Sequence, residues 1–582
     1  MAISLKQYYE ILARYLRPQR LRFALLTVLV LASIGLQIVN PQIMRFFIDA
    51  ATKGKPLNVL TLAALAFIGL ALLQQVLAVG AAYAGEYVGW VATNTLREDL
   101  ATHCLMLDMH FHHEKSPGEL IERIESDALE FSVFFSQLVL RVAGNILLML
   151  GIMIALFLVD WRLGTAFAIF ALATLAGLNA VRNVSIPYQK AARDANTDLA
   201  GFLEERLAGT EDIRSCGAVD YVLRQLFALQ TVIYRCWRKS ALMNIYVRVT
   251  AGMLLMCGYG VAFVFGSQLY HAGVISIGIA YLVVHYTGLI ARPIRELSLQ
   301  VEGLQNIGAT VERMSEVLRQ ESSIVDGPGV VVPSETPLPL AFEHVTFAYH
   351  EEKTILHNVS FRIEPGKVLG LLGRTGSGKT TIARLVFRLY DPQQGAILLQ
   401  GTDIRQAKLD TLRHRVAFVT QDVQLFQASV RDNITFFNRS ISDARIMEVI
   451  EAMELGEWFA DLPDGLDTRL QTGGRSLSAG EAQLLAFTRV FLRNPGLVVL
   501  DEASSRLDPA TERLIEKAID HLLENRSAII IAHRLGTLHR ADDVLILEEG
   551  RVAEYGNRLQ LLGNTSSRFY HLHQTGLEEV LI

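Results

Sequence analysis

Before about residue 300 the chain is dominated by long apolar runs with few charges. After about residue 340, apolar runs of strand length alternate with amphipathic, helix-like segments. The first pattern predicts membrane-crossing helices near 23–48, 57–83, 133–159, 163–180, 251–270 and 277–290. A helix of roughly 20 apolar residues crosses ~30 Å of hydrocarbon with its backbone hydrogen bonds satisfied internally. One or two such runs would suit buried core helices; six in succession would not. The second pattern predicts an α/β domain. Between them, Ser322, Ser323, Pro328, Pro333, Pro337 and Pro339 mark an extended linker. The expected organisation is therefore multidomain: an all-α, six-helix transmembrane domain over 1–318, a linker over 319–340 and an α/β domain over 341–582.

The joints between spans differ in length. Asp160-Trp161-Arg162 joins the third and fourth, and His271-Ala272-Gly273 the fifth and sixth. The connections 86–132 and 181–250 are long, polar, helical in pattern and rich in Lys and Arg. The positive-inside rule places both in the cytoplasm, with Arg17, Arg20 and Arg22 and both termini. Polar groups inside spans are costly and are therefore candidate functional sites. Gln37, Gln74, Gln75, Gln137, Arg141, Asn145, Asn179 and His285 qualify, although a Gln or Asn is also explained by a hydrogen bond to a neighbouring helix and Arg141 by snorkelling or a cytoplasmic extension.

Composition agrees with this division. The 582 residues are 51% hydrophobic and only 19% charged, and the mean hydropathy is +0.30. The net charge of -5 gives no reason to expect nucleic-acid binding. Cys104, Cys216, Cys236 and Cys257 lack C-x-x-C spacing and read as ordinary thiols. The N-terminal stretch lacks the short apolar core and cleavage site of a removable signal peptide.

The chemistry is concentrated after the linker. Gly373-Arg374-Thr375-Gly376-Ser377-Gly378-Lys379-Thr380-Thr381 reads G-x-x-x-x-G-K-T, preceded by the apolar run 368–372 and followed by a helix-like run. In a strand–loop–helix context such a loop turns backbone N–H groups inward as a nest for phosphates. Lys379 supplies a charge to the β- and γ-phosphates, and Thr380 a hydroxyl to Mg²⁺. Further on, Leu497-Val498-Val499-Leu500-Asp501-Glu502 is an apolar strand ending in two carboxylates. Asp501 is expected to hold Mg²⁺ and Glu502 to act as general base on the attacking water. The chain is thus expected to bind and hydrolyse a nucleoside triphosphate.

Additional motifs specify which kind. Ser476-Leu477-Ser478-Ala479-Gly480-Glu481-Ala482-Gln483 precedes that strand, Ser504-Ser505-Arg506-Leu507-Asp508 follows it, and Ile531-Ala532-His533-Arg534 closes the set. With Gln421 in Val419-Thr420-Gln421-Asp422, these resemble the nucleotide-binding domain of the ATP-binding cassette (ABC) family. The six spans and two long cytoplasmic connections resemble the membrane domain of exporter-type half-transporters of that family.

The resemblance implies roles position by position. Tyr349 corresponds to the aromatic that stacks on adenine. Gly373 to Thr381 correspond to the phosphate loop. Gln421 corresponds to the residue that senses Mg²⁺ and the γ-phosphate, and His533 to the switch histidine. Asp501 and Glu502 correspond to the metal-site and catalytic carboxylates. Ser478 and Gly480 correspond to the signature, which faces ATP held by a partner domain. One cassette per chain therefore implies at least a dimer. Segments near 116–120 and 209–216 resemble the coupling helices.

The chain departs from the family at groups offered across that interface. The usual Leu-Ser-Gly-Gly-Gln is here Leu477-Ser478-Ala479-Gly480-Glu481; Arg506 replaces an alanine, and Thr472 stands where exporters carry Glu. Groups acting on the chain's own ATP are intact, so a heterodimer is expected over a homodimer. The implied function is ATP-driven export of an amphipathic or lipophilic, drug- or lipid-like solute by alternating access. The implied location is a cell (inner) membrane. An ATP-gated channel or regulatory protein, or an importer on the exporter fold, are the alternatives.

Overall fold

In the computed structural model, residues 13–131, 142–330, 336–350, 353–420, 423–471, 477–501, 509–532 and 535–575 are described. The chain divides into two compact units. One comprises residues 1–105 and 117–320, the other residues 106–116 and 321–582.

The first unit is helical. Its long members are α1 (Arg20–Thr52) and α2 (Leu57–Met106). The short helix α3 (Met109–Glu114) belongs to the second unit. The chain then continues through α4 (Pro117–Glu122), α5 (Gly144–Val159) and α6 (Trp161–Ala208). It ends with α7 (Thr210–Ser215), α8 (Val219–His271) and α9 (Ile277–Arg319). Side-chain caps start two of these where the apolar runs resume. The Asp160 carboxylate accepts the Arg162 N–H at 2.8 Å before α6, and Ser276 Oγ accepts the Ile279 N–H at 3.3 Å before α9.

The described parts of all six expected spans fall on helices. Four are long and apolar enough to cross a membrane, those containing α1, α2, α6 and α8. The other two are the shorter apolar stretches Gly144–Val159 and Ile277–Ala291; the first third of the third expected span, with Gln137 and Arg141, lies outside the described residues. Many large apolar side chains point outward: Leu62, Leu72, Leu172 and Met256 are 65–70% exposed. A lipid environment accounts for that surface and water would not. Inside the unit, Ile152 and Leu156 of α5, Phe167 of α6, and Leu282, Tyr286 and Ile290 of α9 pack in one apolar cluster. The buried Tyr286 hydroxyl donates to Ile38 O at 2.8 Å and accepts from Gln42 Nε2 at 2.9 Å, joining α9 to α1.

Much of the stretches expected as long connections continues the spanning helices, with the short helices α3, α4 and α7 between them: α2 has 50 residues, α6 48 and α8 53. At 1.5 Å per residue, 50 residues reach about 75 Å, far beyond the hydrocarbon layer. Periodicity does not change where a helix leaves lipid, so the helical pattern of these stretches carries the spans onward. Of the two expected coupling segments, 209–216 coincides with α7. Residues 116–120 lie at the start of α4, just after α3.

In the second unit, β1 (Leu340–His350), β2 (Lys353–Ile363), β4 (Gln394–Leu399) and β5 (Thr402–Asp403) form an antiparallel sheet in the order β2-β1-β4-β5. A six-stranded sheet runs β10-β9-β3-β8-β7-β6. Its members are β10 (Arg551–Asn557), β9 (Asp543–Glu548), β3 (Val368–Leu372), β8 (Ser527–Ile531), β7 (Leu497–Asp501) and β6 (Val416–Val419). All but β10 are parallel to their neighbours. Every residue of β3, β7 and β8 is buried, as strands covered on both faces require.

Two segments are fastened to this unit. Residues expected as linker are pinned: Arg388 Nη2 donates to Val325 O at 2.9 Å, Leu409 N to Asp326 Oδ1 at 2.7 Å, and Gly327 N to Ala407 O at 3.3 Å. Asp108, which caps α3, accepts from both Ser323 N and Ser323 Oγ at 2.6 Å. Burial opposes ionisation of Asp108, but these bonds and those from Phe111 N and His110 N outweigh it and hold its carboxyl below the usual range.

Candidate nucleotide site and membrane cavity

Parallel strands align their C-terminal ends at one sheet edge, and the expected catalytic groups follow those ends in sequence. Val419 pairs with Leu500, Asp501 with Ile531, and Leu371 with Ile531. Gln421, Glu502 and His533 come within two residues of β6, β7 and β8, but all three lie outside the described residues, as do Thr472 and Arg506. An edge of this kind is where open α/β sheets bind ligands.

The loop between β3 and helix α10 (Lys379–Val386) is described throughout. Gly373 has φ +149°, and a Cβ there would lie 2.2 Å from Leu547 O, so no other residue fits without displacing backbone. Lys379 is buried, and its ammonium donates to Gly373 O at 2.6 Å and Arg374 O at 3.1 Å. Ser377 is also buried, and among the described residues its hydroxyl has no hydrogen-bond partner. A buried, unpaired hydroxyl costs free energy unless a ligand completes it. Arg374, Thr375 and Gly376 form the exposed rim of the loop. A cavity of about 860 Å³ adjoins residues 373–377, also lined by Glu548, Arg551 and Arg568.

Two expected metal ligands are brought together across 121 residues. Thr380 Oγ1 donates to Asp501 Oδ2 at 3.3 Å, and Asp501 is buried at the end of β7. A hydroxyl beside a carboxylate is an oxygen-only donor set, which suits Mg²⁺. Tyr349 stands near the end of β1. Its hydroxyl donates to Thr381 Oγ1 at 3.1 Å and accepts from Arg384 Nη1 at 3.2 Å. Phe347 and Tyr390 meet its ring edge-on at 4.9 and 5.0 Å. The ring is thereby held next to the phosphate loop.

The expected signature begins helix α11 (Ala479–Arg493), with Ser478 as its N-cap and Gly480 buried in its first turn. Arg489 of α11 donates to Asn433 O at 2.7 Å and Gln424 O at 3.1 Å, and lies over the Phe436 ring at 4.6 Å. Burial pushes its guanidinium down to about 10, so it stays charged at neutral pH. This arginine ties the signature helix to the stretch that follows Gln421, a link invisible in the motifs.

Residues 356–505 match the family profile described as ABC transporter, and residues 23–293 match that described as ABC transporter transmembrane region. The chain is 30% identical to the uncharacterized ABC transporter ATP-binding protein YknV of Bacillus subtilis over 95% of its own length and 92% of that protein's. The chain belongs to the ABC transporter family. It is an ATP-hydrolysing, multi-pass membrane transporter of the exporter type. It is also 31% identical to an ATP-dependent lipid A-core flippase of Pseudomonas fluorescens, with coverage of 99% and 97%. A solved bacterial Atm1-family ABC exporter with ATP bound superposes with TM-score 0.80 at 26% identity, covering 96% of this chain and 98% of that one.

As an exporter, the chain is expected to offer a solute site in its membrane unit. A cavity of about 380 Å³ lies among α6, α8 and α9. Phe170, Leu178, Ala251 and Ile294 make its walls apolar; Thr174 and Arg248 are its polar groups. Among the described residues, none of the polar groups singled out from sequence lines it. Gln37, Gln74, Gln75, Asn145, Asn179 and His285 lie elsewhere on their helices. Arg248 was read as part of a connection because it precedes the apolar run 251–270; the unbroken helix α8 carries it into the cavity.

Proposed function

We propose that this ABC transporter exports an amphipathic or lipophilic solute, drug- or lipid-like, by alternating access, as a dimer of half-transporters. Its termini and cassette would be cytoplasmic and its host a cell (inner) membrane. The observation that carries the reading is the phosphate loop, whose buried Ser377 hydroxyl has no partner among the described residues, beside the Thr380–Asp501 pair. Tyr349 would stack on adenine, and Lys379 and the loop N–H groups would bind phosphates. Thr380, Asp501 and Gln421 would hold Mg²⁺, which neutralises charge on the β- and γ-phosphates. Glu502 would take the proton of the attacking water, and His533 would contact the γ-phosphate. Ser478 and Gly480 would complete the site of the partner cassette. An apolar cavity with one cation and one hydroxyl supports a solute with a polar head and apolar body.

The partner is proposed to be a different half-transporter. Ala479, Arg506 and Thr472 support that reading. Glu481 no longer does, because its carboxylate is engaged within its own chain.

Reconstituted protein tests both points. Glu502→Gln should keep ATP binding and lose most turnover; unchanged turnover would remove Glu502 from the mechanism. Solute-stimulated, vanadate-sensitive ATPase should accompany uptake into inverted vesicles, whereas ATPase without accumulation would favour a gated channel. A stable two-copy particle of this chain alone, with robust ATPase lost on Glu502→Gln, would make it a homodimer.

A further inference from the structure

Helix α3 carries Met109-His110-Phe111-His112-His113-Glu114, three imidazoles and a carboxylate within six residues. His110 and Glu114 are one turn apart and leave the same helix face. His110 Nε2 lies 3.4 Å from Glu114 Oε1. A third group arrives from the distant end of β1. One donor atom from each of His110, Glu114 and His350 lies within 4.8 Å of the others, and all three residues are exposed. The His110 and His350 rings are 5.8 Å apart. His113, on the same turn, is 6.3 Å from His350 and 6.5 Å from the Tyr349 ring.

We propose that His110, Glu114 and His350 form a site for a divalent transition metal of the Zn²⁺ class, which clamps α3 to the strand that carries Tyr349. Two imidazole nitrogens and one carboxylate oxygen suit Zn²⁺, and their exposure leaves a coordination position for water or for His113. Oxygen-preferring Mg²⁺ and Ca²⁺ fit this set poorly. The site is assembled before an ion arrives. Asp108 caps α3 by accepting from His110 N and Phe111 N at 3.1 Å, and Tyr390 Oη donates to Met109 O at 3.3 Å. Ligands held on pinned backbone lose little freedom on binding, which favours affinity. Since α3 lies between two membrane helices in sequence and β1 presents Tyr349, the bound ion would bias nucleotide handling. That consequence rests on the adenine role of Tyr349; the binding itself does not.

The full-length transporter, freed of any affinity tag and stripped with chelator, is titrated with Zn²⁺ by calorimetry and with Co²⁺ by visible absorption. One ion per chain is expected. Loss of even an outer-shell partner costs roughly 10–100-fold in metal affinity, so His110→Ala and His350→Ala should each cost at least about tenfold. His112→Ala should bind as the unaltered protein does. Equal affinity in His350→Ala and the unaltered protein would overturn the site. ATPase is then measured with and without Zn²⁺. The ion should shift KM for ATP in the unaltered protein and not in the His110→Ala/His350→Ala double variant. An unchanged KM, or a shift that persists in the double variant, would overturn the coupling. Absence of ATPase in every sample would count against the transporter reading and leave the titration to judge the site.

Discussion

Glu481 closes a reciprocal cap on Ser478. Its carboxylate accepts the Ser478 N–H at 2.6 Å, while Ser478 Oγ accepts the Glu481 N–H at 3.2 Å. The second carboxylate oxygen accepts from Trp458 Nε1 at 3.2 Å. The charge that stands where the family carries glutamine is therefore used to start helix α11, where the helix dipole also favours an anion.

Glu481→Gln should consequently leave stability and ATPase nearly unchanged, because glutamine also closes such a box. Glu481→Ala removes the cap and orphans the Trp458 N–H; it should cost about 1 kcal/mol. Thermal unfolding of both variants in detergent checks this. A large ATPase gain in Glu481→Gln would instead show that the charge had been repelling nucleotide.

Ser377→Ala should separate folding from binding. The hydroxyl has no partner among the described residues, so its loss should not lower stability without nucleotide. ATP affinity should fall by about 0.5–1.5 kcal/mol, roughly the net worth of one hydrogen bond. Lys379→Ala should weaken nucleotide binding more, since a bond to a charged group is worth about 1.5–3 kcal/mol. Fluorescent-nucleotide titration measures both.

Asp49 joins the end of α1 to the start of α9. It accepts from Ser276 Oγ at 2.7 Å and Gly278 N at 2.9 Å. A Cβ at Gly278 would lie 2.5 Å from Arg45 O and 2.6 Å from Asp49 Oδ1. Asp49→Ala and Gly278→Ala should therefore both loosen this junction by roughly 1–3 kcal/mol. The double variant should be less destabilised than the sum of the two, because both act on one contact. A double-mutant cycle on thermal unfolding tests it.

Arg248 should set charge preference in the membrane cavity. Arg248→Ala should raise KM for transport of anionic amphiphiles and leave neutral ones little affected, with basal ATPase retained. Vesicle uptake of a matched anionic and neutral pair reads this out, and equal effects on the two would remove Arg248 from solute recognition.

The membrane spans and phosphate loop were legible because their signals are local. A run of apolar residues states its own solvent, and G-x-x-x-x-G-K-T is contiguous, so its glycines can be assigned a backbone role without knowing the fold. The lengths of α2, α6 and α8 were less legible, since a helix does not end where its polarity changes.

What tertiary structure alone decided were meetings between residues far apart in the chain. Thr380 reaches Asp501 because β3 and β7 flank β8 in a parallel sheet. Arg248 enters a cavity because α8 packs along α6 and α9. His350 comes to His110 and Glu114 because α3 is pinned to the second unit rather than to the helices on either side of it in sequence. Hydrophobic pattern sets which face of each element is buried, but not which other element covers it; that choice belongs to packing of the whole chain.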